Sequence, residues 1–297
     1  MLLPLYLSVV KRNKNKRIFW KHSKVNHYIS NYVSNKYSNP PSALKQYPVV
    51  ICIHGFGASP FEWEEFANYA QEKECLVSNI FLGNHKSIKE FENSSWQSWL
   101  ESIKKEYLRL TKIGFENISI CASSTGATLL LHALNNKVFQ PSLPLRQIIM
   151  VDPLVDINET LIYKLPYLKN VIFDISVPTT AKERGNWIPK RPINTLIQLL
   201  DLISKTKTLL NSKFMALSHI KLAIYNSKND PVIKNNSADT IVTAFKKNYI
   251  TKVDHVKMDS DLHVFSRLKG RDNIQIKDIK NQKLFFDNVI DLVKKVK

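Results

Sequence analysis

The sequence predicts an α/β protein: a doubly wound, mostly parallel central sheet with helices on both of its faces. Short apolar runs near residues 49–53, 118–121, 148–151 and 222–225 are rich in Ile and Val and do not alternate with polar residues. Such runs suit parallel strands covered on both sides. Helical patterns separate them at 60–72, 96–111, 126–134 and 238–248, and this alternation points to a doubly wound sheet. At 297 residues and 44% hydrophobic content the chain can bury a large core of this kind as one body. A further strand-like segment runs over 253–258, and no internal repeat is present. Between residues 154 and 218 the alternation gives way to a mixed, partly helical stretch. It holds Trp187, Pro189-Lys190-Arg191-Pro192 and an amphipathic run over 195–210. A plain crossover needs far fewer residues, which favours an insertion over a pair of ordinary surface helices.

Two motifs carry chemistry. In Cys121-Ala122-Ser123-Ser124-Thr125-Gly126 a strand-like run enters a turn of small residues and a helical pattern leaves it. A serine on such a turn has its hydroxyl pushed out above the sheet. Ser124 fits the pattern Gly-x-Ser-x-Gly with Ala122 in the first glycine position and Gly126 in the second. Ser123 is the rival nucleophile, but its frame has no flanking glycine. The plainer alternative is a serine N-cap on an ordinary strand–helix unit. Upstream, the run from Val49 leads straight into His54-Gly55-Phe56-Gly57. The chain has only seven glycines, and three of them are Gly55, Gly57 and Gly126.

These segments, together with Phe81-Leu82-Gly83-Asn84-His85 and Trp96-Gln97-Ser98-Trp99, resemble the α/β-hydrolase superfamily. The likeness is to its bacterial carboxylesterase and monoacylglycerol-lipase branch, over roughly residues 46–295. Ala122 for glycine is one departure; Gly83-Asn84-His85, where relatives commonly carry Gly-His-Gly, is another. The resemblance implies the α/β-hydrolase fold with a small helical cap after its sixth strand. The core is then expected at 47–153 and 219–297, the cap or lid at 154–218, and a basic extension at 1–46. It also implies an oxyanion hole formed by the amides of Phe56 and Thr125, where prealigned donors meet developing negative charge.

In this fold the order along the chain is nucleophile, acid, base. A serine hydroxyl needs a histidine to take its proton and a carboxylate to orient that histidine. Asp230 follows the run 220–225 and precedes Pro231, matching the acid position; a turn Asp is the simpler reading, and Asp152 in Met150-Val151-Asp152-Pro153 is the fallback acid. His263 follows the last strand-like segment and is the expected base. His22 and His27 lie in the basic head, His54 in the oxyanion turn, and His85 ahead of the serine. His132 falls inside the following helix, and His219 and His255 at strand entrances. Leu161, Ile162, Leu165, Leu168, Val171, Ile172 and Phe173 suggest an acyl-chain environment in the cap.

Net charge is +18, of which residues 1–47 hold +9 with no acid. Such a head can meet an anionic membrane surface or nucleic acid by charge alone, though no nucleic-acid motif is present. A chain-wide preference for Lys, Asn and Ile explains it equally well. The apolar stretch 1–10 is too short to span a bilayer and precedes its basic cluster, unlike a secretory signal. A cytoplasmic protein, in peripheral contact with membrane at most, is expected. Cys52, Cys75 and Cys121 have no disulfide spacing, and the first and last read as buried small hydrophobes. There is no metal-ligand spacing and no phosphate loop, so no cofactor or metal is expected. Taken together the reading is a serine hydrolase of acyl esters or monoglycerides. Thioesterase or acyltransferase chemistry, a non-catalytic interaction module and a basic nucleic-acid binder are the alternatives. Oligomeric state is left open.

Overall fold

The computed structural model describes residues 42–83, 88–139, 145–170, 173–177, 179–183, 185–212, 220–247 and 253–295. The head up to residue 41, with His22 and His27, lies outside them, as do Asn84, His85, Val171, Ile172 and His219. After a short helix α1 (Ser42–Lys45), six parallel strands form the central sheet: β1 (Val49–Ile53), β2 (Leu76–Ile80), β3 (Ile118–Ser123), β4 (Leu145–Val151), β7 (Lys221–Ser227) and β8 (Val253–Met258). Their spatial order is β2-β1-β3-β4-β7-β8. Between β4 and β7 a two-stranded antiparallel ribbon, β5 (Asp174–Ser176) and β6 (Lys190–Pro192), stands apart.

Side-chain alternation explains why these strands are apolar throughout. Val49, Ile51 and Ile53 join Ile120, Met150 and Ile224 in one core, under α4 (Trp96–Ile113), α5 (Thr125–Asn135) and α8 (Ser237–Lys247). Val50 and Cys52 join Cys121, Ile149 and Tyr225 in the other, under α2 (Glu64–Gln71) and α9 (Ile276–Lys294). Successive residues of one strand face opposite sides, so a sheet covered twice has no polar face. A 3₁₀ turn at Pro60–Trp63, capped by the Ser59 hydroxyl, leads into α2. The helix α3 (Ile88–Glu92) precedes α4, whose C-terminus stops at Gly114 in the left-handed region, φ 97°.

The expected strands and helices are found at the expected places. The short helices α1 and α3 went unread, as did β2, where Ser78 and Asn79 interrupt the apolar run, and α9. The buried residues Phe285, Phe286, Val289, Ile290 and Val293 of α9 repeat at helical spacing beneath a basic surface. His255 lies within β8, paired in register with Ile224, instead of at a strand entrance. All three cysteines are free and buried. Among the described residues no helix is long and apolar enough to cross a membrane.

The insertion leaves the sheet after β4, the fourth of six strands, and not after a sixth. The insertion comprises a 3₁₀ turn (Thr160–Lys164), α6 (Leu165–Leu168), the β5–β6 ribbon and α7 (Ile193–Asn211). Its two ends pack differently. Leu202 and Leu210 of α7 belong to the main core, and Thr206 bonds His132 of α5 at 2.8 Å. Leu165, Ile175, Ile193 and Leu196 form a separate cluster against Phe56.

Candidate active site

β3 delivers Ser124 to the sheet's carboxyl edge at the first turn of α5. Its backbone sits at φ 48°, ψ −120°, a conformation that non-glycine residues rarely adopt. The Ser124 amide donates to the Val151 carbonyl at 3.0 Å, which ties the turn to the neighbouring strand. Gly126 is required by close approach: a Cβ there would stand 2.7 Å from the His54 carbonyl oxygen. Ala122 is fully buried in the core on β3, and its methyl coexists with the tight turn. Ser124 occupies the N-cap position of α5 yet its side chain caps nothing. The hydroxyl instead lies 3.0 Å from His263 Nε2.

His263 Nδ1 lies 2.8 Å from Asp230 Oδ2. Asp230, itself buried, accepts at Oδ1 from the amides of Val232 (2.7 Å) and Ile233 (3.1 Å). With Asp230 ionised, the proton sits on Nδ1 and Nε2 faces the serine as acceptor. Burial by itself lowers the His263 imidazole pKa. The Asp230 carboxylate against Nδ1, with Asp152 and Glu62, outweighs that effect and holds it above the ordinary value. The loops carrying acid and base are joined: the Asn229 amide donates to the Ser260 carbonyl at 3.1 Å, and Asn229 Nδ2 to Asp261 at 2.9 Å.

Asp152, the fallback acid, takes another place. Fully buried at φ 43°, it accepts from the amides of Ser227 (2.6 Å) and Val264 (2.8 Å). Burial and the nearby Asp230 charge push its pKa up to about 7. Val264, directly after His263, is β-branched at φ 56°, a conformation that only surrounding structure can hold. Asp152 thus anchors the backbone that carries the imidazole. Asp152, Asp230 and His263 come close enough to suggest a cation site. However, both carboxylates are already engaged by backbone donors and Asp230 by the imidazole as well.

Ser123, the rival nucleophile, points the other way: it is fully buried and donates to Glu62 and to the Ile53 carbonyl. Glu62 also accepts from the Gly55 amide at 2.9 Å, fixing the loop one residue before Phe56. Burial pushes the Glu62 carboxyl pKa up. His54 bonds the Gly55 carbonyl through Nδ1 at 2.8 Å and accepts the Leu82 amide at Nε2, 3.2 Å. That pairing fixes a neutral tautomer, and burial lowers its pKa to about 4. Within the described residues the amides of Phe56 and Thr125 donate to no protein acceptor. A Cβ on Gly55 would lie 3.7 Å from Ser124 Oγ, so this loop passes directly beside the hydroxyl.

A cavity of about 450 Å³ opens on Ser124 and His263. Its apolar wall is Phe56, Leu154, Ile157, Ile175, Leu196 and Leu199. Of the seven residues expected to form it, Ile162 does; Leu165 is buried in the cluster with Ile175, Ile193 and Leu196, and Leu168 and Phe173 face solvent. The amphipathic helix α7 adds Leu196 and Leu199 to the wall, beside Ile162, Ile175 and Val177 of the segment before it. Glu62, Glu183, Trp187, Arg191, Arg267 and Arg271 also reach the cavity wall; in the sequence Trp187 and Arg191 marked only the mixed stretch 154–218, and none of the six was expected at the site.

Neither a model of a known protein family nor a curated protein matches the chain. Solved structures do. The structure described for two metagenome-derived lipolytic enzymes, LipS and LipT, matches at 16% identity and TM-score 0.67, over 84% of this chain and 94% of that one. A soluble variant of monoglyceride lipase from Saccharomyces cerevisiae matches at 10% identity and TM-score 0.68, over 84% and 87%. A monoacylglycerol lipase from Paleococcus ferrophilus matches at 10% identity and TM-score 0.62, over 84% and 96%. The chain has the α/β-hydrolase fold.

Proposed function

We propose that this chain is a serine hydrolase that cleaves carboxylic esters through an acyl-enzyme intermediate. The observation that carries the reading is the continuous path from Asp230 through His263 to a Ser124 hydroxyl with no capping duty. Ser124 Oγ attacks the ester carbonyl as His263 Nε2 takes its proton. Asp230 holds the Nδ1–H tautomer and stabilises the imidazolium that forms. The amides of Phe56 and Thr125 receive the charge on the carbonyl oxygen, aided by the positive end of α5. His263 then returns its proton to the departing alcohol oxygen. In the second half, water attacks the acyl carbon, gives a proton to His263, and Ser124 is regenerated. The apolar cavity supports an acyl substituent, and several structural neighbours are named as lipases or monoglyceride lipases. Hydrolysis of p-nitrophenyl acyl esters tests the reading. Wild type turns them over and Ser124→Ala, equally folded by circular dichroism, does not; undiminished turnover by the variant would discard it.

A further inference from the structure

Arg191 sits on β6 opposite Ile175, is only 5% exposed, and reaches the cavity that holds Ser124. Its guanidinium lies flat against the oxyanion loop. A Cβ on Gly57 (φ +62°) would stand 2.3 Å from Nη1 and 2.4 Å from Cζ, so glycine is what admits it. Nη1 donates to the Gly57 carbonyl at a long 3.5 Å, and the group lies over the Phe56 ring at 5.6 Å. A guanidinium has five N–H donors, and among the described residues these contacts leave nearly all of them unused.

The neighbouring cations are matched. Lys190 pairs with Asp174, the acid of the ribbon, at 3.6 Å. Arg267 pairs with Glu183 at 2.8 Å and lies over Trp187. Arg271 donates to the carbonyls of His263, Val264 and Arg267. Arg191 has no acidic partner among the described residues, and an Asp or Glu outside them cannot supply one. All 25 Asp and Glu side chains of the chain fall within the described residues, and none pairs with Arg191. Burial pulls its pKa down to about 9, which leaves it protonated at neutral pH. A buried cation without a counter-charge is costly, and the open side of this one is the substrate cavity.

We propose that Arg191 is the receptor for a carboxylate carried by the substrate, so that the preferred esters are anionic, such as hemiesters of dicarboxylic acids. The inference rests on the ester-hydrolase reading and narrows its substrate class. A planar carboxylate matches the guanidinium fork with two parallel hydrogen bonds, while Ile175, Leu196 and Leu199 take the methylene spacer. A neutral ester would leave the buried donors unmet, which is costly in itself.

The test compares aryl hemiesters having lengthening methylene spacers with neutral aryl esters of equal length; a second pair carries the carboxylate on the alcohol side. In one of the two pairs the wild-type enzyme favours the anionic member at least about tenfold in kcat/KM. Arg191→Gln lowers kcat/KM for that substrate about tenfold more than for its neutral counterpart, mainly through KM, and Arg191→Lys keeps part of the preference. Equal or better turnover of the neutral member in both pairs, or an equal loss on both by Arg191→Gln, overturns the proposal; the latter marks mere support of the oxyanion loop. Should Arg191→Gln not fold, the wild-type comparison decides. If no ester is hydrolysed at all, the hydrolase reading falls, and calorimetry of the full chain with a dicarboxylic monoamide against a neutral amide still decides. Carboxylate-dependent binding supports the receptor, and its absence removes it.

Discussion

Ser95 stands at the N-cap of α4 and Ser124 at the N-cap of α5, and the two serve differently. Ser95 has extended backbone, φ −107° and ψ 158°, and its hydroxyl accepts the Ser98 amide at 3.3 Å. Ser124 sits at φ 48° and ψ −120° and bonds no amide of its helix. One serine satisfies an orphan donor of its helix and lowers the local energy, typically by about 1 kcal/mol. The other gives up that gain and sits in a conformation costing roughly 1–3 kcal/mol. What it obtains is an uncommitted oxygen 3.0 Å from an imidazole, above the end of the sheet. Strain recurs at this site: Asp152 and Val264 share the positive-φ region with Ser124 and are joined by a 2.8 Å hydrogen bond. The contrast separates a serine placed for folding from one placed for chemistry.

The sharpest way to break the contrast is to delete both hydroxyls in turn. Ser124→Ala should cut kcat by about a million-fold, as loss of a serine nucleophile typically does, with no loss of stability. A stability loss without an activity loss would reverse the roles assigned to the two serines. Next come the two buried acids. Asp230→Asn, which keeps the shape but spoils the histidine tautomer, should lower kcat about ten-thousand-fold. Asp152→Asn acts mainly through the backbone beyond His263 and should cost about a hundredfold, the scale of a small misplacement. Equal losses for the two would place both acids at the imidazole.

A smaller effect concerns pH. The base works only when His263 is neutral, and its folded pKa stands above the ordinary value. Log kcat/KM should therefore rise with pH through a midpoint on the alkaline side of 6.5, the ordinary histidine value. A midpoint below 6.5 in a pH–rate profile would show that burial, not Asp230, governs the ring. The least change is expected of Ser95→Ala: a loss of about 1 kcal/mol in denaturant unfolding and unaltered ester turnover.

Much of this site was legible in the sequence because its residues sit at strand ends, where chain order and register leave few choices. Ser124 and Asp230 each follow an apolar run, and His263 a strand-like segment, that proved to be sheet strands. What was not legible depends on tertiary placement. Glu62 lies in a 3₁₀ turn beside aromatics, and nothing local shows that its carboxylate will meet the Gly55 amide. Arg191 lies on a three-residue strand in an insertion, too short to give a period. Its contact with Gly57 joins positions 134 residues apart. In the Lys-rich C-terminal stretch the basic residues stand between the apolar ones and hide the apolar stripe of α9.

The account stands most directly on the reactivity of one oxygen. Wild-type protein treated with a fluorophosphonate probe, digested and mapped by mass spectrometry, should carry a single phosphonyl adduct on Ser124, with Ser95 and Ser123 untouched. An unlabelled Ser124 in folded protein, or an adduct on another serine, would contradict it.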